Sequence, residues 1–250
     1  MGAASNMLMA APDDWDRALH DVDAALAILD GLPDRENVAN AYCDAGMFYR
    51  ALGERAAAGP GSGSWYRKSL SALLRCEKIV RARDDWYRQE NAKRGRPGLT
   101  LVPATLYLDL GRTYTRLSDP RHAIEAYERG RSLESNPDVL EELGAAYRAA
   151  GDLRKAAAAL VEAVAVDPGR AQLISQLVEM YGEIDPSGCA ISRQGGQPQL
   201  NLECPLVHGD LCAASRNVAG NFVRRGQNEA AEEIRRTAKE QFGCAAELLK

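Results

Sequence analysis

Residues 104–136 read ATLYLDLGRTYTRLSDPRHAIEAYERGRSLESN, and residues 137–168 read PDVLEELGAAYRAAGDLRKAAAALVEAVAVDP. The second stretch repeats the first with a period of 33 residues. Seven positions of the first copy, Leu110, Gly111, Tyr114, Asp119, Arg121, Ala123 and Tyr127, correspond to Leu143, Gly144, Tyr147, Asp152, Arg154, Ala156 and Leu160. A fixed period in this range is typical of repeat arrays, in which each unit buries its apolar face only against its neighbours.

The small residues of the repeat predict where two helices approach closely. Gly111 and Gly144 lie on a first helix and Ala123 and Ala156 on a second, and neither side of the contact carries bulk. This pattern resembles the tetratricopeptide repeat (TPR). The resemblance implies an all-α fold, a right-handed α-solenoid of antiparallel helix hairpins with about ten helices.

Following the repeat outward predicts the organisation of the whole chain. We expect residues 1–12 to be disordered and residues 13–250 to form a single TPR-like solenoid. Its expected parts are clear repeats at 104–136 and 137–170, a degenerate repeat at 36–83 with a Gly/Ser-rich insertion at 56–64, a long Cys-bracketed loop at 186–205, and a C-terminal hairpin at 206–243.

Composition and charge restrict the function. The 250 residues carry a net charge of −4, which argues against a general nucleic-acid binder. No run approaches the roughly 20 apolar residues that span a bilayer. Segment 64–96 is nevertheless basic, with ten Lys and Arg against four Asp and Glu. It is either a contact for anionic lipid or an acidic protein, or a long helix that exposes its charge to water.

Six cysteines allow disulfides. In an antiparallel hairpin the start of the first helix lies beside the end of the second, so Cys212 and Cys244 can pair. Cys189 and Cys204 bracket the long loop, and a bridge there would restrain it. The alternative is that these four are small buried residues. For Cys43 and Cys76, which fall on the two helices of the first repeat, we favour that alternative.

A competing interpretation is a metal site. Cys189, Cys204, His208 and Cys212 would supply a Cys₃His set, but their spacing matches no standard zinc motif. We therefore expect no metal and no cofactor. The Gly-rich stretch at 56–64 lacks the Gly-Lys-Ser/Thr ending of a phosphate loop, and the chain has no G-x-S-x-G elbow. We expect no catalytic residues and no enzyme activity.

The family resemblance implies a partner-binding concave face lined by first helices. By register, that face should contain Thr105, Leu108, Arg112, Arg116, Asp138, Glu141, Ala145, Arg148, Ser175 and Glu179. Some family members bind the acidic C-terminal tail of chaperones through positive and amide groups. Here Leu108, Asp138, Glu141 and Glu142 stand where that clamp needs amide or positive groups, so we do not expect a chaperone tail as ligand. Mixed charge on the face predicts a polar or amphipathic one.

These observations favour a non-catalytic protein–protein interaction scaffold that binds a peptide or partner helix on its concave face. The alternative is the accessory soluble TPR tail of a larger multidomain enzyme, similar to arrays on membrane glycosyltransferases. A complete chain with no signal peptide would be cytoplasmic, whereas disulfides among the C-terminal cysteines would place it on the extracytoplasmic, periplasmic side. We expect specificity to lie in the two interruptions of the repeat, at 56–64 and 186–205.

Overall fold

The computed structural model of the chain describes residues 12–56, 61–95, 100–194 and 196–249. Within these residues lie ten α-helices and one two-stranded sheet. The elements are α1 (Pro12–Leu29), α2 (Glu36–Arg55), α3 (Ser62–Lys93), α4 (Ala104–Arg116), α5 (Pro120–Leu133), α6 (Pro137–Ala149), α7 (Leu153–Val166), α8 (Ala171–Ile184), β1 (Ile191–Gln194), β2 (Gln197–Leu200), α9 (Pro205–Arg224) and α10 (Asn228–Phe242), followed by a 3₁₀ turn (Ala246–Leu249).

The predicted all-α fold of helix hairpins is confirmed. Among the described helices, none combines the length and the apolar composition needed to cross a membrane. The disorder expected for residues 1–12 falls outside the described residues, except for Pro12, which begins α1. Residues 57–60 of the predicted Gly/Ser-rich insertion also lie outside them. By its contacts the chain divides into two compact units, residues 1–126 and residues 127–250.

The first unit is built around the hairpin of α2 and α3. A Cβ atom at Gly46 would lie 2.5 Å from Cγ of Leu73, so glycine is what lets these helices approach. One turn along each helix, Cys43 and Cys76 form a disulfide with their Cα atoms 5.4 Å apart. The interpretation of these two cysteines as unpaired core residues is therefore wrong. The close approach at Gly46 brings the next turn of each helix within bonding distance.

Buried polar pairs fasten α4 to this hairpin. The Arg50 guanidinium of α2 donates to the Asp109 carboxylate at 3.1 Å, and the two side chains are 15% and 14% exposed. Burial raises the pKa of the Asp109 carboxyl above its ordinary value, against the lowering effect of Arg50. The buried hydroxyls of Ser69 and Thr113 lie 3.1 Å apart. These buried hydrogen bonds help to fix the position of α4 on the hairpin.

The second unit contains the hairpins α6/α7 and α9/α10, with α8 between them in sequence. Asn136 caps α6 by accepting from the backbone N–H groups of Asp138 at 2.9 Å and Val139 at 3.3 Å. Gly151 turns the chain from α6 into α7 with a φ of +80°. Leu160, Leu173 and related apolar side chains of α7, α8 and α9 form one continuous buried core.

Residues 186–205, predicted as a polar loop, contain the only strands of the described chain. β1 and β2 pair antiparallel, with Ile191 opposite Leu200 and Gln194 opposite Gln197. The turn between them contains Gly196 at a φ of +83°. A Gly-Gly pair between two short segments is a recognised hairpin signal. The polar composition of both strands concealed it, because neither shows an apolar alternation.

Candidate partner-binding groove

The concave-face residues predicted on α4 differ in how much surface they offer. Thr105 and Arg116 are exposed, and Arg116 lies 3.7 Å from Glu54 of the same unit. Arg112 is half-buried. Leu108 is only 7% exposed, so its side chain belongs to the packing of the first unit. Three of the four α4 positions therefore present polar groups to the surface.

In the second unit, the predicted face is an ion-pair network between α6 and α8. Arg148 of α6 lies 3.1 Å from Glu179 and 3.5 Å from Glu183 of α8. Arg170, just before α8, lies 2.7 Å from Asp138 and 3.4 Å from Glu141. Long charged side chains thus connect the two first helices of this unit, and partner binding by this face stays a prediction.

Sequence reasoning missed two members of this network. Arg170 bridges Asp138 and Asp167, and hydrogen bonds to these two carboxylates raise the pKa of its guanidinium. Gln176 donates to Glu141 at 3.3 Å. Arg170 follows Pro168-Gly169 and precedes α8, so it reads as a turn residue in sequence. Only the pairing of α6 with α8 shows its role.

A groove of about 770 Å³ opens beside this network in the second unit. Its walls come from the α7–α8 turn, α8, the β-hairpin with the residues after it, α9 and the end of α10. The lining residues are Val164, Pro168, Gly169, Ile174, Ser175, Val178, Glu179, Gln197, Pro198, Gln199, Leu200, Leu202, Leu211, Gln241 and Phe242. Two predicted face residues, Ser175 and Glu179, belong to it. The groove is therefore continuous with the α6/α8 network.

Its floor is apolar and its rim is polar. Ile174, Val178 and Phe242 supply aliphatic and aromatic surface, while the side chains of Gln199 and Gln241 offer amides. Such a combination is typical of sites that bury an apolar group and orient it through a few hydrogen bonds. The hairpin residues of the wall had no predicted role beyond the expectation that specificity lies in the interruptions.

Covalent and polar bonds hold the hairpin wall in place. Cys189 and Cys204 form a disulfide across its base, with Cα atoms 5.5 Å apart. Asn201 donates its side-chain amide to the Cys189 carbonyl at 2.8 Å and its backbone N–H to the Ala190 carbonyl at 2.8 Å. Asp185 accepts from the Ala190 N–H at 2.7 Å. A short isolated hairpin is marginal in water, so these bonds determine whether the wall exists.

The free edge of β2 is poorly suited to adding another strand. Asn201 bonds to Ala190, so the alternation of an antiparallel pair makes Ser192–Gln199 a hydrogen-bonded pair and Arg193–Pro198 a non-bonded one. The backbone of Pro198 thus faces the free edge, where proline has no N–H to donate. This edge therefore disfavours pairing with a further strand at Pro198.

We expect acid to loosen the hairpin wall. Hydrogen bonds hold the pKa of the Asp185 carboxyl below its ordinary value of 3.8. The bond from the Ser187 hydroxyl has the larger effect and the bond from the Ala190 N–H the smaller one. A lowered pKa means that the stabilisation is complete above the ordinary value and is lost as pH falls through the folded-state pKa. Hydrogen-exchange protection of residues 190–200, corrected for intrinsic rates, should be constant above about pH 5 and should fall as the pH drops below about 4. Asp185→Asn should remove that pH dependence, and unchanged protection in the native chain would contradict it.

The structure does not bring the four suggested metal ligands together. In the described residues, two groups of side chains place potential ligand atoms within 4.8 Å of one another. The groups are His208 with Cys212 and Cys244, and Asp185 with Cys189 and Cys204. Each contains a disulfide, because Cys212 is bonded to Cys244 and Cys189 to Cys204. Metal binding requires thiolates, so these residues do not fit a metal while the sulfurs are paired.

Comparison with known proteins agrees with this architecture. The chain contains a tetratricopeptide repeat, since the model of that family matches residues 104–138. The predicted resemblance is thereby confirmed. No curated protein matches the sequence.

Solved structures similar to the chain include three TPR proteins. TTC0263 of Thermus thermophilus, a thermophilic TPR protein, is 20% identical over 65% of this chain and 74% of its own, with a TM-score of 0.46. The TPR-like repeats of a putative kinesin light chain from Podosopora anserina are 14% identical over 94% and 90%, with a TM-score of 0.43. YrrB, a TPR protein with an unusual peptide-binding site, is 13% identical over 93% and 84%, with a TM-score of 0.35. A repeat of this class implies a protein or peptide partner.

Proposed function

We propose that the chain is a non-catalytic interaction module that binds a peptide segment of a partner protein, and that the groove of the second unit is its recognition site. The observation that carries this proposal is the continuity of the apolar groove with the charged α6/α8 face at Ser175 and Glu179. A segment lying there would bury apolar side chains and meet charged groups at the same time. Thr105, Arg112 and Arg116 of α4 lie in the first unit, and their part in partner binding stays a separate prediction.

Charge on the α6/α8 face indicates what the segment carries. Five carboxylates of these two helices, Asp138, Glu141, Glu142, Glu179 and Glu183, stand against the single basic residue Arg148. Arg170 adds one positive charge beside them. The excess of negative charge favours a partner with Lys or Arg next to its apolar residues, and disfavours an acidic tail.

Three disulfides favour a place for the module in an oxidising compartment. Cys43–Cys76, Cys189–Cys204 and Cys212–Cys244 account for all six cysteines. Disulfides form and persist in such compartments and are rare where thioredoxin and glutathione keep thiols reduced. This observation also supports the second candidate function, an accessory soluble tail of a larger enzyme exposed to the same environment.

Substituting Leu202 tests the groove directly. Leu202 lines the groove and is 40% exposed, so Leu202→Glu should leave the fold intact. Peptides selected by the native chain from a random display library should carry apolar residues next to Lys or Arg. We expect Leu202→Glu to weaken their binding at least tenfold, about 1.4 kcal/mol, by fluorescence anisotropy. The added negative charge alone would strengthen the binding of a basic peptide. A loss of affinity therefore reports the loss of the apolar contact at Leu202.

The matched control is Val223→Glu. Val223 lies on α9 in the same unit, is 43% exposed and does not line the groove. Its substitution introduces the same charge and should change affinity by less than about twofold. Equal losses from both variants, or selected peptides with no shared apolar or basic character, would argue against the groove as the recognition site.

A further inference from the structure

The first unit contains a second surface with a definite ligand chemistry, the face of the α2/α3 hairpin on which α1 lies. Residues 12–34 hold seven aspartates and one arginine. In α3, by contrast, eight Lys and Arg stand against four Asp and Glu. An acidic helix thus lies on a basic one. We call the covered face the α1 seat and define it by Tyr42, Tyr49, Lys68 and Arg75.

Carboxylates of α1 and its following turn make the principal contacts to the seat. Asp23 accepts hydrogen bonds from the Tyr49 hydroxyl and from Lys68, whose Nζ is 2.9 Å away. Asp30, seven residues later and therefore two turns along the same face, accepts from the Tyr42 hydroxyl. Asp34 lies 2.6 Å from Arg75. Lys68 and Arg75 also lie over the rings of Tyr49 and Tyr42, at 5.2 Å and 5.8 Å from their centroids.

The apolar packing of α1 on the seat is sparse. From Trp15 to Leu29, only Trp15 is buried, where it stacks on Phe48 at 5.6 Å. Ile28 is 68% exposed. A cavity of about 280 Å³ remains between α1 and the hairpin, lined by Leu26, Asp30, Tyr42, Tyr49, Lys68, Ser71, Ala72 and Arg75.

A helix that leaves such a cavity and relies on water-exposed ion pairs is held weakly over most of its length. Exposed ion pairs contribute little to stability, because water and salt screen them. The α1 seat, in contrast, is a preformed surface of aromatic rings and cations. It lies on a hairpin whose two helices are joined by the Cys43–Cys76 disulfide. The seat is therefore the permanent feature, and α1 is one occupant that fits it.

We propose that the α1 seat is a docking site for an acidic amphipathic helix of a partner protein, which replaces α1. The partner helix carries carboxylates seven residues apart, to meet Tyr49 with Lys68 and Tyr42 with Arg75, and a medium-sized apolar side chain between them that fills the cavity. α1 competes with it as a tethered occupant at high effective concentration. This site lies in the first unit and does not depend on the groove proposed above.

The test uses the full chain and a fluorescein-labelled synthetic peptide with the sequence of residues 12–34. Asp23→Lys with Asp30→Lys in the chain reverses the two main contacts and weakens the tethered helix. We expect this variant to bind the peptide at least tenfold more tightly than the native chain. Adding Lys68→Ala to it should weaken peptide binding at least tenfold, because the peptide then has no cation to meet at Tyr49. Hydrogen exchange of α2 and α3 reports whether each variant is folded. If the variant with two lysines does not fold, the milder Asp23→Asn with Asp30→Asn takes its place in the test.

The matched control is Asp16→Lys with Asp21→Lys, which makes the same charge change at exposed positions of α1. It should leave peptide affinity within twofold of the native chain. Equal tightening by both pairs, or no binding to the Asp23/Asp30 variants, would overturn the proposal. A concentration-dependent dimer of the native chain in light scattering that the Asp23→Lys, Asp30→Lys variant does not form would assign the seat to α1 of a second copy instead, and would also overturn it.

Discussion

Replacing Cys189 and Cys204 by alanine should lower the affinity of the groove for its selected peptides at least tenfold. It should also destabilise the second unit by about 3 kcal/mol, the amount expected for a ring of 15 residues. The two effects share one cause. Gln197, Pro198, Gln199 and Leu200 form one wall of the groove, and the disulfide closes the base of the hairpin that carries them.

The noncovalent bonds of the hairpin do not replace the disulfide. Asn201 and Asp185 order its base, but most of both strands is exposed and β2 has no partner beyond β1 in the described chain. A two-stranded hairpin with so little buried surface is marginal alone. Without the disulfide it would sample open conformations, and a ligand would have to order it on binding. That ordering cost reduces affinity even when every contact of the bound state is retained.

Two measurements separate this result from general unfolding. Hydrogen exchange should become at least tenfold faster in residues 190–200 while α6 and α7 keep most of their protection. Cys43→Ala with Cys76→Ala is the matched control, because it removes a disulfide from the first unit and should leave peptide affinity unchanged. Native chain purified without reductant should show no free thiol after unfolding. Unchanged affinity in the Cys189/Cys204 variant would remove the hairpin from the site.

The 33-residue period predicted the hairpins because the same helix packing recurs in every repeat and sets the period. Gly144 and Leu160 occupy equivalent places to Gly111 and Tyr127, and such pairs need no information from distant sequence. The helix bounds follow from the same register. What the period cannot predict is structure that occurs once.

The β-hairpin and the α1 seat both belong to that second category. Gln197 and Gln199 are polar in a polar stretch, so no amphipathic pattern marks them, and only the disulfide and the Asn201 bonds make them a wall. Asp23 and Asp30 read as a solvated helix face, because their partners Tyr49 and Tyr42 occupy repeat positions that the period assigns to the core. Polar contacts between an irregular segment and a regular one leave no periodic signal.

Alanine at Gly144 and alanine at Gly182 should change stability in opposite directions. Both glycines lie on first helices of the second unit, Gly144 on α6 and Gly182 on α8. A Cβ at Gly144 would lie 2.9 Å from both Cγ and Cδ2 of Leu160 and 3.3 Å from the Ala156 carbonyl oxygen. A Cβ at Gly182 meets nothing within 4 Å. The substitution is the same at both sites. The difference is that a helix packs against Gly144, whereas no described residue packs against Gly182.

The clash at Gly144 cannot be relieved cheaply. Leu160 is fully buried, so its side chain cannot turn into water, and the Ala156 carbonyl is part of the α7 backbone. α6 must move away from α7, which should cost about 1–3 kcal/mol as overpacking does in other cores. At Gly182, alanine should increase the free energy of unfolding by about 0.5–1 kcal/mol, because glycine loses more backbone entropy than alanine when it becomes helical. Hydrogen exchange of α6, α7 and α8 measures both changes in the full chain. Stabilisation by Gly144→Ala would mean that α6 and α7 are not held together at this point, and the repeat packing inferred from the 33-residue period would be wrong there.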